Sequence, residues 1–192
     1  MKNKFLKQIV NAIAILIVLT FILGVIYPFI VMGLGQLFFP HQANGSLIRQ
    51  DGKIIGSSLV QQKFTSDRYF HGRPAIVNYT DTPTNKELLQ RIKDRIKTDR
   101  KQDMHKNQYV PVDLITDSGS GVDPDITPAG AFYQAKRVAY ENNIQIKDIN
   151  TLINGHIKGR ILGIFGQKTV NVLKLNIALN TYLKTHKTNG IW

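Results

Sequence analysis

The residues with the most obvious chemical potential lie in two glycine-rich stretches. Ser118 and Ser120 belong to Asp117-Ser118-Gly119-Ser120-Gly121-Val122-Asp123-Pro124-Asp125, where a hydroxyl beside a general base would be a nucleophile. No base stands near them in the sequence, and serine between glycines is also what a turn requires. The second stretch, Gly163-Ile164-Phe165-Gly166-Gln167-Lys168-Thr169, has the glycine, lysine and threonine of a phosphate-binding loop. Gln167 separates Gly166 from Lys168, so a glycine turn leading into the next helix accounts for it better. His41, His71, His105, His156 and His186 are scattered, with no short-spacing pair of the kind that holds a metal. No G-x-S-x-G, H-E-x-x-H or G-x-x-x-x-G-K-[ST] pattern occurs. The absence of cysteine removes disulfides, thiolate nucleophiles and cysteine-based zinc sites together. The expectation is a protein with no catalytic residues or metal of its own, and the sequence assigns no residue to a cofactor.

One charge pattern stands out. The formal net charge is +12, yet residues 110–135 contain no lysine or arginine and carry Asp113, Asp117, Asp123 and Asp125. Two readings remain open. Aspartate favours turns and helix caps, so these residues could be ordinary loop chemistry. Alternatively Asp117, Ser118, Ser120, Asp123 and Asp125 form a cation-attracting or interface loop on an otherwise repulsive surface.

The elements that would position these residues divide the chain. Residues 8–40 carry no charge, and 9–32 form the most apolar run, interrupted only by Asn11 and Thr20. As a helix that run reaches roughly 36 Å at ~1.5 Å per residue, enough to cross a hydrocarbon core of about 30 Å with some tilt. Pro28 falls near its far end, where a kink or helix exit costs least. Tyr27 suits an interfacial aromatic belt, and Gly24, Gly33 and Gly35 are small enough for close helix packing in the membrane. The run is too long for the core of a cleaved signal peptide, and no A-x-A site follows it. Lys2, Lys4 and Lys7 precede the span, whereas the first lysine or arginine after it is Arg49. The positive-inside rule therefore places residues 1–8 in the cytoplasm, 9–32 in the membrane, 33–45 as an exit linker, and 46–192 outside.

The region after the span is expected to be α+β. Its composition argues for a packed domain, the whole chain being 43% hydrophobic and 20% charged. Residues 46–49 and 53–60 read as strands joined at Asp51-Gly52, a hairpin signal. Residues 64–74 read as loop or strand edge. A basic amphipathic helix covers 85–106, with Leu88, Leu89, Ile92 and Ile96 as its apolar stripe. Residues 109–116 read as an edge strand because of Pro111. Thr127-Pro128 opens a helix with Ala131, Phe132, Ala135, Val138 and Ala139 buried, ended by Asn142-Asn143. A short helix over 147–157, a glycine-punctuated turn over 159–166 and a last helix over 169–184 follow. Val172, Leu175, Leu179 and Leu183 face that last helix inward. Lys2, Lys4 and Lys7 account for three of the positive charges, leaving +9 for the rest, a surface suited to anionic partners. Membrane lipid or an acidic protein face fits an anchored chain; nucleic acid does not.

Four stretches in order resemble the C subunit of the Kdp potassium-transporting P-type ATPase. They are Tyr27-Pro28 through Leu34-Gly35-Gln36, Phe39-Pro40 and Gln42-Ala43-Asn44-Gly45-Ser46-Leu47; Gly56-Ser57-Ser58-Leu59-Val60 with Phe64 and Tyr69-Phe70-His71-Gly72-Arg73-Pro74; Val110-Pro111-Val112-Asp113-Leu114-Ile115-Thr116 through Ser118-Gly119-Ser120-Gly121-Val122-Asp123 to Ile126-Thr127-Pro128; and Gly166-Gln167 with Val170-Asn171-Val172-Leu173 and Leu175-Asn176-Ile177-Ala178-Leu179-Asn180. The chain departs from the family in a shortened stretch over 78–84 and in Gln61, which stands at a usual glycine.

The resemblance implies an accessory subunit in a bacterial cytoplasmic (inner) membrane. Its partners would be a channel-like potassium-binding subunit and a P-type ATPase subunit, and the complex as a whole would handle ATP and potassium. Phosphorylation chemistry would belong to the ATPase subunit; this chain has no Asp-Lys-Thr-Gly-Thr motif. The family is commonly described as a catalytic chaperone that raises the pump's affinity for ATP. With the folded region outside and ATP inside, such an effect would be long-range coupling through the span. The alternative from another class is a free-standing anchored domain whose basic helix binds anionic lipid or polymer.

Overall fold

The computed structural model describes residues 2–74, 82, 84–103 and 109–188. The chain forms two compact units, Met1–Leu47 and Ile48–Trp192.

The first unit is helical. Helix α1 (Lys2–Phe21) runs through a π-helical turn (Ile22–Ile26) into α2 (Tyr27–Phe38). The sequence places an exit or kink at Pro28, but the helix continues past it. Proline lacks an N–H, and its ring would collide with the carbonyl four residues back, that of Gly24. The wider turn absorbs that conflict: the Tyr27 N–H donates to the Ile22 carbonyl, five residues back. The apolar helix over Asn3–Phe38 thus reaches 36 residues, longer than the 9–32 expected from hydropathy. It is long and apolar enough to cross a membrane, and none of its most apolar window is buried within the chain. A helix apolar on every side and bare within its own chain needs lipid or other helices around it. The one-turn α3 (Pro40–Ala43) follows, and the Asn44 amide ties back to Gln36 Oε1 (3.0 Å) and the Pro40 carbonyl (2.6 Å).

The second unit mixes helix and strand. β1 (Leu47–Gln50) and β2 (Lys53–Ser57) pair through Asp51 and Gly52, both at positive φ (51° and 77°), as the Asp-Gly signal predicts. Helix α4 (Lys86–Gln102) is capped by the Asn85 side chain, which accepts from the Glu87 N–H at 2.9 Å. The helix, expected to run to 106, ends at Gln102 with Asp103 as its C-cap, and 104–106 lie outside the described residues. The edge strand expected over 109–116 does not form. Val112–Ile115 make a single helical turn, α5, opened by Pro111, because proline pre-sets the dihedral of a helix start as readily as it ends a strand.

A three-stranded antiparallel sheet follows, with β5 (Thr169–Asn171) between β3 (Asp125–Ile126) and β4 (Ile157–Lys158). Its register pairs Ile126 and Ile157 with Val170. α6 (Pro128–Asn142), α7 (Ile146–Gly155) and α8 (Val172–Thr188) pack in sequence order, α6 on α7 and α7 on α8. Thr127 caps α6 by accepting from the Gly130 N–H at 3.0 Å, and Asn143 ends it in the left-handed conformation. The first residues given to the last helix, 169–171, instead form the central strand. β-branched Thr169 and Val170 suit a strand, and Val170 is wholly buried in it.

The core joins Ile126 and Val170 to Ala131, Ala135, Val138, Ile149, Ile153, Leu175 and Leu179. The expected stripes of α6 and α8 are buried except for Phe132, which is exposed. Its neighbours Tyr133, Gln134 and Arg137 take the inward positions instead. Phe70 comes from a segment without regular structure, yet its side chain is 0% exposed in the same core. Replacing Phe70→Ala should cost roughly 3–5 kcal/mol, the range for truncating a buried aromatic ring. Denaturant unfolding of the full chain in detergent measures it.

Candidate functional site

The region richest in buried polar chemistry is built around residues 67–73. This segment lies against α6 and α8 with no strand partner, so its peptide groups must find other partners. Side chains supply them. Asn142 Nδ2 donates to the Arg68 carbonyl (2.8 Å), and Arg137 Nη1 donates to the Asp67 and Tyr69 carbonyls. Asn176 donates to the Phe70 carbonyl and accepts from its N–H, both at 2.9 Å. Gln134 does the same at His71, at 3.0 and 2.7 Å, and Gln61 Nε2 donates to the Arg73 carbonyl at 2.6 Å. Asn176 and Gln134 thus imitate a neighbouring strand, each satisfying both groups of one residue.

At the centre is an ion pair closed off from water. Arg137 Nε meets Asp103 Oδ1 at 2.6 Å, with the side chains 1% and 5% exposed. Beside it lies a cavity of about 190 Å³ lined by His71, Arg95, Asp99, Asp103, Leu114 and Gln134, among others. Asp99 Oδ2 is buried with no hydrogen-bond partner among the described residues. Burial, then the nearby Asp103 carboxylate, push the Asp99 carboxyl up from its ordinary 3.8 to about 6. Burial and the Arg137 guanidinium hold the His71 imidazole below its ordinary value.

The charges of the acidic loop are met by residues from elsewhere in the chain, Arg95 of the cavity lining among them. Arg95 on α4 pairs with Asp117 at 2.8 Å and donates to the Ile115 carbonyl at 2.9 Å. Arg73 donates to the Asp117 carbonyl at 2.9 Å and reaches Asp123 Oδ2 at 3.5 Å. Asp125 accepts from Thr169 Oγ1 (3.0 Å) and Asn171 Nδ2 (2.9 Å), fastening β3 to β5. Asp113 is buried over the start of α6, accepting from the Thr127 N–H at 2.6 Å and its hydroxyl at 3.1 Å. A Cβ on Gly130 would sit 2.8 Å from that carboxylate, so any larger residue would force the buried carboxylate to shift.

Ser118 and Ser120 share the loop but take different roles. The Ser118 hydroxyl is buried with no partner among the described residues, and no base reaches it. Ser120 is exposed and accepts from the Val122 N–H at 3.3 Å. Gly24, Gly33 and Gly35 face open space within the chain, so nothing in the first unit packs on them. Of the five histidines, only His71 lines this cavity among the described residues, and His105 lies outside them. Among the described residues no group of three His, Asp or Glu could hold a metal ion.

Sequence reading missed Asp103, Gln134, Arg137, Asn142 and Asn176 as a group. A signal existed: Gln134 and Asn142 recur at helical spacing on the face that carries Ala131, Ala135 and Val138, and Asn176 follows buried Leu175. Polar residues on a buried face mark partners that only the fold reveals.

A helix long and apolar enough to span a membrane, followed by a mixed helix–strand fold, fits a membrane-anchored α+β protein. The family model for KdpC, "K+-transporting ATPase, c chain", matches residues 9–181, nearly the whole chain. The potassium-transporting ATPase KdpC subunit of Methylococcus capsulatus is 47% identical over 180 residues, covering 88% of this chain and 95% of that protein. That of Caldanaerobacter subterraneus is 40% identical, covering 94% and 98%. That of Mycobacterium tuberculosis (strain H37Rv) is 43% identical, covering 91% and 98%. The chain belongs to the KdpC family.

Two outcomes test the buried charges. Arg137→Ala breaks the buried pair with Asp103 and should destabilise the chain by about 3–5 kcal/mol. Adding Asp103→Ala should then cost much less than its single effect, a coupling read by a double-mutant cycle of unfolding free energies. For Asp99, the folded state holds the proton more tightly than the unfolded chain. Its contribution is therefore most favourable below pH 3.8 and is lost as pH rises through about 6. Thermal unfolding should show Asp99→Asn gaining on the parent chain as pH is raised from 4 to 7.

Proposed function

We propose that the chain is a non-catalytic accessory subunit of an ATP-driven potassium uptake pump, anchored by its N-terminal helix with the folded unit outside the cytoplasm. The observation that carries this reading is the KdpC match over residues 9–181, which takes in helix and folded unit together. The three potassium-transporting relatives described above are subunits by name, and a subunit acts through its neighbours. Those neighbours are a channel-like potassium-binding subunit and a P-type ATPase subunit, with ATP and potassium as substrates of the assembly.

Sidedness follows from Lys2, Lys4 and Lys7 ahead of the helix. The bacterial cytoplasmic membrane then separates the folded unit from ATP, so the primary role is assembly and stabilisation. A catalytic-chaperone effect on ATP affinity would travel through the helix as a coupling free energy between distant sites. The helix offers Gly24, Gly33 and Gly35 as places for partner helices to approach closely. The loop of Asp117, Ser118, Ser120, Asp123 and Asp125 is read as an interface loop. Its carboxylates already have partners within the chain, which favours holding a shape over collecting cations.

The test is co-expression with the pump's other subunits. The full chain should co-purify with them, and exchanging residues 9–32 for an unrelated single span should reduce recovery by about tenfold or more. A periplasmic reporter fused behind Trp192 should be active. Undiminished recovery with the exchanged span would reject helix packing as the basis of assembly, and a reporter active only in the cytosol would reject the topology. A parent chain that ignores the pump subunits yet binds anionic polymer through α4 would favour the free-standing reading.

A further inference from the structure

The segment joining β4 to β5 contributes nothing to the core, and every residue from 158 to 168 is exposed. Within it Ile161, Leu162, Ile164 and Phe165 are 66, 84, 74 and 63% exposed. Four large apolar side chains in five positions are out of place in water unless they meet something.

The segment has a built shape. Ile161 and Phe165 exchange backbone hydrogen bonds at 2.9 and 3.0 Å, and the Gly163 and Ile164 N–H groups donate to the Arg160 and Ile161 carbonyls. Gly163 and Gly166 take the left-handed turns at φ 76° and 81°. Leu162 is also held left-handed, at φ 53°, a conformation that disfavours a branched side chain, and it is the most exposed of the four. Lys158, Arg160 and Lys168 flank the tip, and none of them forms an ion pair among the described residues. Elsewhere in this unit Arg73, Arg95 and Arg137 all have carboxylate partners.

We propose that the tip formed by Ile161, Leu162, Ile164 and Phe165 is the anchor by which this chain docks into an apolar, acid-rimmed pocket on another subunit of the pump. The inference rests on the accessory-subunit reading and adds the surface that performs it. A preformed backbone favours a protein pocket, because a fixed knob loses little freedom on entering a fixed hole. A fluid lipid surface rewards apolar area and positive charge whatever their arrangement. The three flanking cations call for acidic groups around the pocket and would steer the encounter.

The chain has no cysteine, so Leu162→Cys offers one thiol for a photoactivatable maleimide. In membranes holding the assembled pump, illumination should join that position to another pump subunit. Tyr140→Cys, 70% exposed on α6, should yield about tenfold less or lower. Equal yields at the two positions, an adduct with lipid alone, or no adduct while the chain still co-purifies would each overturn the docking site and leave the subunit reading standing. Failure of the parent chain to co-purify would overturn both. As a second measurement, Leu162→Asp with Phe165→Asp should reduce recovery of the complex roughly tenfold or more while circular dichroism stays unchanged. Unchanged recovery of that folded variant would refute the proposal.

Discussion

A stretch of irregular chain inside a core must have its peptide groups hydrogen-bonded, and residues 67–73 meet that constraint mainly with side chains. Asn142, Arg137, Asn176, Gln134 and Gln61 each reach a carbonyl in this segment, and two of them also take an N–H. A single such bond contributes only about 1 kcal/mol net, but a buried peptide group left without one costs about 1–3 kcal/mol. The arrangement is therefore close to all-or-none. It fixes Phe70 in the core and locks α6 and α8 to one position along the segment. Arg137 is its hub, held in turn by Asp103 from the end of α4. Four pieces of chain far apart in sequence become one body through a handful of polar contacts.

The same economy shapes the surface. Acidic residues are scarce in this chain, 13 against 25 lysines and arginines, and several of the buried or half-buried ones are taken up by partners within the chain. Asp103, Asp117 and Asp123 pair with arginines, while Asp113 and Asp125 receive backbone and side-chain donors. Few acids remain to balance the exterior, so the excess positive charge is expressed outward. A surface with that bias associates faster with acidic partners and repels a second copy of itself. It fits the proposed role of joining unlike neighbours.

The anchor follows different physics. In the folded unit, stability comes from apolar burial with most buried polar groups matched. In the first helix no described apolar side chain is buried. The π-helical turn before Pro28 leaves the backbone continuous where a proline would otherwise break it. A continuous rod is the form in which a membrane segment can keep its peptide groups satisfied without water. On the proposed topology it is also the one element able to carry mechanical coupling from one side of the membrane to the other.

Much of this was legible in the sequence because it depends on local or periodic properties. The apolar length of the first helix, the Asp51-Gly52 turn, the Thr127 cap and the α8 stripe of Val172, Leu175, Leu179 and Leu183 all follow from patterns within a few turns of chain. Family membership was legible too, since it rests on ordered residue identities over nearly the full length. What local pattern could not decide was competition between equal candidates. Val110-Pro111-Val112 suits an edge strand or a helix start, and Asp113 reaching over Gly130 tips it to helix. Thr169 to Asn171 could open α8 or form a strand, and pairing with Ile126 and Ile157 makes them the centre of a sheet. Above all, the sequence shows aspartates without nearby cations in residues 110–135, whereas Arg73 and Arg95 arrive only once the chain has folded. Hydrophobic periodicity is written along the chain; the matching of buried charges and peptide groups is a property of distance in space, and tertiary structure alone sets it.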